Sequence, residues 1–195
     1  MPMEYTNRRG QVYYIYQGKT KTGKPKYYAS KRATSEGGEP AESLPEDFEI
    51  FEDPGNATVI VRRRKASRIL PAERELIDRL AVELSAYSRV QTIIEGDQIE
   101  VYVPDRNAAA VESLFGRIFG SSPPGAADWT ARNARYTPEL RFALADAKQC
   151  HFTAKRYCYR GSIDGWIPVA GRGPLEPLAR ELLPHLGRES FYELF

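Results

Sequence analysis

The chain has 195 residues, 42% of them hydrophobic and 28% charged, with a net charge of +2. This composition is typical of a globular protein, and the length is sufficient to bury a core as one large domain or two small ones. No apolar run approaches the roughly 20 residues of a membrane span, and residues 1–11 contain no apolar stretch typical of a signal peptide. Two cysteines do not make a disulfide framework. From these three observations together, we expect a cytoplasmic protein that does not bind membranes.

The first predicted element is a β-hairpin with a basic tip. In QVYYIYQ, aromatic and aliphatic residues alternate between two strand faces, and KYYASKR is again aromatic and extended. The polar segment between them, GKTKTGKP, contains glycine and is typical of a hairpin loop. Four lysines therefore lie at the tip and flank of this hairpin: Lys19, Lys21, Lys24 and Lys26.

The same loop fits the phosphate-loop spacing G-x-x-x-x-G-K, so a nucleotide site is a competing hypothesis. A phosphate loop needs Ser or Thr after the lysine to ligate Mg²⁺, and Pro25 stands at that position. It also needs a following helix whose N-terminus holds the phosphates, whereas an extended segment follows here. We therefore reject a nucleotide site.

Charge is strongly segregated along the first 68 residues. Residues 1–35 carry eight Lys or Arg and one acid, residues 36–53 carry eight acids and no base, and residues 54–68 carry five bases and no acid. Dense blocks of like charge are commonly a solvated face or an interaction surface. The alternative is that the acidic block folds back on the basic hairpin and neutralises it, which would reduce the attraction of the hairpin for polyanions.

A second hairpin is predicted across the acidic block and the second basic block. FEIFE is apolar and alternating, PGN is turn-forming, and TVIV is mostly β-branched. The two hairpins predict a small four-stranded antiparallel β module over residues 1–66, followed by a distinct α+β domain over residues 69–195.

Residues 70–119 predict a helix-strand-strand-helix unit. PAERELIDRLAVELSAY has proline near the first helical position, acids in the first turn and apolar residues on one face. RVQTIIEGDQIEVYVP is a hairpin around Gly96 and Asp97. Asp105 then caps a helix that ends at Gly120 and has apolar residues at i, i+3, i+4 and i+7.

The C-terminal third predicts a mixed β/α part, which makes the whole chain α+β. Residues 138–148 begin with a helix-start signal, TPE, but Leu140, Phe142 and Leu144 alternate, and CHFTAKRYCYRG and GWIPVAG offer extended partners. We therefore predict a strand there. PLEPLARELLPHL predicts a short helix, and the final segment RESFYELF is apolar enough to dock on the body of the protein.

Three of these segments carry a family resemblance. The start YYIYQGKTKTGKPKYYASKR, the middle CYRGSIDGWIPV and the end LPHLGRESFYELF resemble an uncharacterised family of bacterial proteins, and the likeness spans most of the chain. The resemblance implies a bacterial, cytosolic protein. It implies no activity, ligand or catalytic residue.

A zinc site is one hypothesis for the C-terminal third. Cys150, His151, Cys158 and His185 supply two thiolates and two imidazoles, which is a complete zinc set. The short spacing usual between cysteine ligands is absent, and side chains of neighbours such as Cys150 and His151 point to opposite faces of a strand. We therefore expect buried thiols and ordinary histidines, with no metal and no cofactor.

A nucleophilic site in YRGSIDGW is a further hypothesis. Ser162 and Asp164 lie in a chain with two histidines, and triads are assembled in space rather than in sequence. The segment GSIDG lacks the G-x-S-x-G nucleophile elbow, however, and Ser, Asp and Gly together are first of all turn formers. The pattern favours a turn over a catalytic site.

Basic residues interleaved with aromatic ones are the remaining signal. Lys and Arg neutralise phosphates and Tyr stacks on bases, so such segments suit a polyanion or nucleic-acid surface. The alternative is that the tyrosines are cross-strand pairs of a small sheet with soluble lysines outside. The candidate binding residues are Lys19, Lys21, Lys24, Lys26, Tyr27, Tyr28, Arg62, Arg63, Arg64, Lys155, Arg156 and Arg160.

Together these features favour a non-enzymatic binding or interaction protein that uses the basic hairpin to contact a protein partner. Nucleic-acid binding is one alternative, although a pI near 8.5 is below what a strong nucleic-acid binder usually shows. An enzyme that uses Ser162, Asp164 and a histidine is the other alternative. The sequence leaves the oligomeric state open.

Overall fold

The chain folds as two compact units of mixed α and β structure. The computed structural model describes residues 2–34, 37–105, 126–159 and 164–194. Contacts group residues 2–64 and 126–135 into unit 1, and residues 65–105 and 136–194 into unit 2. The described helices are α1 (Pro71–Leu84), α2 (Ala126–Asn133) and α3 (Leu175–Leu182), and the described strands form three sheets. This confirms the predicted α+β class.

Unit 1 is built on β2. Its strands are β1 (Glu4–Thr6), β2 (Val12–Lys19), β3 (Pro25–Ser30), β4 (Glu39–Pro40), β5 (Phe48–Glu52) and β6 (Val59–Arg63). All pairings are antiparallel: β3 lies along one edge of β2, β1 and β4 share the other edge, and β5 pairs with β6 alone. Both predicted hairpins are confirmed. β1 and β4, with three and two residues, were not predicted because such short strands show no alternation.

β2 is buried on both of its faces. Tyr13 and Ile15 point to one face and Tyr16 to the other, because successive side chains alternate, and all three are buried. A strand covered on both sides keeps its register, since a slip by one residue would exchange the two buried sets. The base of the first hairpin is therefore fixed by packing on both of its faces.

Helix α2 belongs to unit 1 through its contacts with the N-terminal segment. The guanidinium of Arg8 donates to the carbonyl of Ala134, which closely follows α2, and pairs with Glu52 at 2.9 Å. The predicted boundary between residues 66 and 69 followed chain order, whereas these contacts join a later segment to the N-terminal strands. Separate folding of residues 1–66 stays a prediction.

Unit 2 is a five-stranded antiparallel sheet with α1 and α3 on one face. Its strands are β7 (Gln91–Ile94), β8 (Gln98–Pro104), β9 (Tyr136–Asp146), β10 (His151–Cys158) and β11 (Gly165–Pro174), in the spatial order β11-β10-β9-β8-β7. Ile99, Phe142 and Phe152 lie on the helix-covered face and pack into one core with the apolar residues of α1 and α3. We call the opposite face, which carries Arg141 and Tyr157, the outer face.

Most predicted elements of unit 2 are confirmed. Helix α1, the β7–β8 hairpin and the strand over most of residues 138–148 are present, and α3 continues into a 3-10 turn, Leu183–His185. Phe191, in a second 3-10 turn (Glu189–Glu193), is buried, so the final segment docks as predicted. The helix predicted from Asp105 to Gly120 lies outside the described residues. Among the helices that the structure describes, none combines the length and apolarity of a membrane span.

Candidate functional site

The hairpin tip, residues 19–26, is a defined turn rather than a loose loop. The Thr20 N–H donates to the Lys24 carbonyl at 2.8 Å, the Lys24 N–H donates to Thr20 Oγ1 at 3.1 Å, and the Gly23 N–H donates to the Thr20 carbonyl at 2.9 Å. Gly23 has a φ of +79°, a conformation that glycine adopts without strain. Lys19 pairs across the hairpin with Pro25, so the turn closes directly above the last strand pair.

The four lysines of the hairpin tip are exposed to solvent. Lys19, Lys21, Lys24 and Lys26 are all solvent-exposed. None of them forms an ion pair with any residue that the structure describes. The hairpin tip therefore presents four ammonium groups within eight residues, the feature that the sequence predicted.

The acidic block engages other basic residues. Asp47 pairs with Arg63 at 2.9 Å and Glu49 pairs with Arg62 at 2.9 Å, both across the β5–β6 hairpin. Glu52 accepts from Arg8 and from the Tyr5 hydroxyl. The block does fold back, because β4 pairs with β2, but Asp47, Glu49 and Glu52 pair with arginines, and none of the described acids pairs with a lysine of the hairpin tip.

Tyr27 and Tyr28 serve mainly to hold the sheet together. The Tyr28 ring stacks on Tyr16 at a centroid distance of 5.7 Å, and the Tyr27 ring packs on Phe48 at 4.9 Å. Both tyrosines are half-buried. Their rings match the alternative interpretation, cross-strand and cross-sheet packing, and little ring area is left for stacking on bases.

The second basic segment is brought close to β3 through an aromatic contact. The Arg63 guanidinium carbon lies 5.2 Å from the centroid of Phe48, the ring that Tyr27 also contacts. The side chain of Arg63 is 74% exposed and Arg64 is exposed. Arg62 is different: its guanidinium lies 3.7 Å from the Phe51 centroid and its side chain is largely covered. Arg64 can therefore extend the basic surface, Arg63 is exposed but paired with Asp47, and Arg62 is a packing residue.

A cavity of about 490 Å³ lies between the hairpin tip and residues 37–39. Lys19 and Glu39 line it with opposite charges. Gly38 closes one side, and an added Cβ there would lie 2.6 Å from the Tyr28 hydroxyl and 2.8 Å from the Gln17 carbonyl oxygen. Only glycine fits at this approach, so the glycine is explained by strand packing and needs no ligand.

The third basic segment divides into different roles. Lys155 is half-buried on the outer face of unit 2. Arg156 is 6% exposed and its guanidinium donates to the carbonyls of Tyr192 and Leu194 at 3.2 and 3.3 Å, so it anchors the C-terminal segment. Burial argues against a direct ligand contact by Arg156. Arg160 lies outside the described residues.

The four candidate zinc ligands do not converge. Cys150 precedes β10 and Cys158 ends it, which separates them by about 25 Å at the usual rise per strand residue. His185 Nδ1 lies 2.8 Å from Ser190 Oγ, a local contact between the two 3-10 turns. Across the ranges that the structure describes, no three His, Cys, Asp or Glu side chains are grouped so that they could hold a metal ion.

The proposed nucleophilic site is only partly described. Asp164 accepts a hydrogen bond from the Tyr157 hydroxyl at 2.9 Å, so its neighbour is a tyrosine rather than a histidine. His151 lies at the far end of β10 from Tyr157, about 20 Å away along the strand. Ser162 lies outside the described residues. Asp164 is therefore placed among aromatic side chains.

Sequence reasoning missed the aromatic cluster beside Asp164. Tyr157 contacts Tyr159 at a centroid distance of 4.5 Å and Trp166 at 5.2 Å. The pattern of basic and aromatic residues drew attention to Lys155, Arg156 and Arg160 rather than to the tyrosines between them, and Trp166 was not singled out. The available signal was the β10–β11 hairpin itself, whose register sets Tyr157 opposite Trp166.

Comparison with protein-family models, curated proteins and solved structures finds no match to the chain. The resemblance to a bacterial family therefore depends on the three quoted segments alone and stays a prediction. No site residue can be transferred from another protein, and function has to be inferred from the geometry above.

Proposed function

We propose that the chain is a non-enzymatic binding protein whose hairpin tip contacts an acidic surface on a partner protein. One observation carries the proposal: four exposed lysines crowd a defined turn and form no ion pair with a described residue, while the ion pairs of the acidic block that the structure shows go to Arg8, Arg62 and Arg63. Uncompensated charge of one sign is what steers an oppositely charged partner and raises its association rate.

The tyrosines favour an acidic protein over a single-stranded nucleic acid. Recognition of unpaired bases relies on free aromatic rings, and Tyr27 and Tyr28 are already engaged with Phe48 and Tyr16. Binding of a partner's carboxylates requires only the ammonium groups of the four lysines. Each exposed contact of this kind contributes about 0.2–1 kcal/mol, so the hairpin tip acts through several contacts at once and its binding depends on salt.

Nucleic acid is the second candidate function, and the crowding of four lysines supports it. Binding through phosphates requires no stacking and scales with the number of cations that contact the backbone. Exposed Arg64 would add to that number, whereas Arg63 already pairs with Asp47. The two candidates differ in which polyanion is preferred at equal charge.

The test replaces Lys19, Lys21, Lys24 and Lys26 by Gln and measures binding of labelled oligoglutamate and labelled oligothymidylate of equal charge. A matched control removes four exposed positive charges elsewhere, by replacing the residues Arg79, Arg132, Lys148 and Arg188 with Gln. We expect wild type and control to bind oligoglutamate and the hairpin variant to lose binding. Preferential binding of oligothymidylate, with a salt slope that falls in the hairpin variant, would select nucleic acid. If wild type binds neither polyanion at low salt, the proposal is wrong.

A further inference from the structure

A cluster of aromatic side chains lies at one end of the outer face of unit 2. Tyr157 and Tyr159 are two residues apart, so they point to the same side of β10, and Tyr157 is opposite Trp166 on β11. The Tyr157 ring is tilted against Tyr159 and edge-on to Trp166, which are favourable aromatic geometries. We call Tyr157, Tyr159, Trp166 and Asp164 the aromatic corner.

The aromatic corner is accessible to a partner. Tyr159 is 56% exposed and Asp164 is exposed, while Tyr157 and Trp166 are half-buried. Single exposed aromatic residues need no explanation, but here the exposed ring is supported by two others. Tyr and Trp are the residue types that most often dominate binding energy at protein interfaces.

Two carboxylates lie near the exposed ring. Asp164 accepts the hydroxyl hydrogen of Tyr157 at 2.9 Å. The pKa of Tyr159 is raised to about 12, first because burial removes water from its hydroxyl and next because the carboxylate of Glu139 lies close by. Tyr159 is therefore neutral at physiological pH, and the carboxylates of Glu139 on β9 and of Asp164, just before β11, both raise its pKa.

The same sheet face already shows how such a surface holds a cation. The guanidinium of Arg141 lies over the Trp166 ring, 3.9 Å from its centroid, and pairs with Glu100. A positive group over an aromatic face is attracted by the ring quadrupole, and a nearby carboxylate adds to this attraction. Arg141 is engaged by these two partners. Lys155, two residues before Tyr157 on β10, lies directly opposite Arg141 on β9 and Pro168 on β11.

We infer that the aromatic corner binds an arginine or lysine side chain from a basic segment of a partner protein. The exposed Tyr159 ring, supported by Tyr157, offers a face, and Asp164 supplies a carboxylate beside it. Phosphates would be repelled by the same carboxylate, so a nucleic acid fits this surface poorly. This inference concerns a different unit and the opposite sign of charge from the hairpin tip.

The test uses Trp166 as its own reporter. The chain has two tryptophans, so Trp129→Phe leaves Trp166 as the single indole. Oligoarginine, oligoglutamate and an uncharged peptide of equal length are titrated while Trp166 emission is recorded. We expect a saturable change with oligoarginine alone, and weaker binding as salt is added.

Three variants in the same background locate the contact. Asp164→Asn removes a charge and keeps the shape, and Tyr159→Ala removes the ring; each should weaken oligoarginine binding about two- to five-fold, the size of one exposed charge or cation–π contact. Tyr159→Leu keeps an apolar side chain and should weaken binding as much as Tyr159→Ala, which separates loss of the ring from misfolding. Replacing the four lysines of the hairpin tip should change nothing here, so this test and the test of the proposed function fail separately. An equal response to oligoglutamate, no saturable response to oligoarginine, or unchanged binding by Asp164→Asn would each overturn the inference.

Discussion

Replacing Gly187 by Ala tests how the C-terminal segment docks on the residues that follow α1. Gly187 has a φ of +87°. An added Cβ would lie 2.7 Å from Tyr87 Cε2 and 2.9 Å from Ala86 Cβ, which is closer than carbon atoms pack. The Ala86 N–H donates to the Leu186 carbonyl at 3.0 Å, so the two segments cannot separate without breaking this hydrogen bond.

Two terms set the size of the expected effect. A non-glycine residue held in the left-handed region costs about 1–2 kcal/mol, and forcing an extra methyl group into a packed site costs about 1–3 kcal/mol. The free energy of unfolding should therefore fall by about 2–5 kcal/mol, a large part of the roughly 5–15 kcal/mol that stabilises a typical domain.

Urea denaturation of three glycine variants separates the two terms. Gly96 has a φ of +61° and no described atom within 4 Å of an added Cβ, so Gly96→Ala should lose only the backbone term, about 1–2 kcal/mol. Gly171 has neither a positive φ nor a close neighbour, so Gly171→Ala should stay within about 0.5 kcal/mol of wild type. A Gly187→Ala loss equal to that of Gly96→Ala would refute the packing term, and a loss below about 1 kcal/mol would refute both terms.

Two further predictions concern ion pairs. Arg8→Ala should lower the free energy of unfolding by about 1–3 kcal/mol, between the values for exposed and buried pairs, because both side chains of the Arg8–Glu52 pair are only 14% exposed. Arg180→Ala breaks a half-exposed pair within α3 and should cost no more than about 0.5 kcal/mol. Equal losses in urea denaturation would contradict this ranking. The hydrogen bond from Arg68 lowers the pKa of Asp97. The stabilisation by Asp97 is therefore present above its unfolded pKa of about 4 and is lost as the pH falls further. The thermal unfolding temperature of Asp97→Asn should depend less on pH than that of wild type between about pH 5 and pH 3, and identical profiles would show that Asp97 does not contribute.

Local patterns were sufficient to predict the elements whose side chains alternate or repeat over several turns. The strand β9 was chosen over a helix because Leu140, Phe142 and Leu144 alternate, and all three lie against or within the core of unit 2. The same alternation, carried along β10, places Arg156 between buried Ala154 and Cys158. Arg156 was assigned to a basic surface because it is close in sequence to other basic residues, although the strand period points it inward.

Contacts between distant segments could not be predicted from those patterns. The attachment of α2 to unit 1 depends on Arg8, which reaches the carbonyl of Ala134 across 126 positions of sequence. No periodicity connects such positions. The aromatic corner is an intermediate case, since its members lie within one hairpin, and it could have been found by setting Tyr157 opposite Trp166.

The free charge of the hairpin tip follows from strand pairing in the neighbouring hairpin. β5 carries acids and β6 carries arginines, and their antiparallel register sets Glu49 opposite Arg62, so part of the acidic block is neutralised within this hairpin. Arg8 engages Glu52 in the same way. A net charge of +2 thus conceals a local excess of positive charge, because the lysines of the hairpin tip have no carboxylate partner among the described residues. The net charge of the whole chain is for this reason a poor guide to binding. Steering by the hairpin tip can be separated from general attraction only by comparing variants that change the net charge equally at different places.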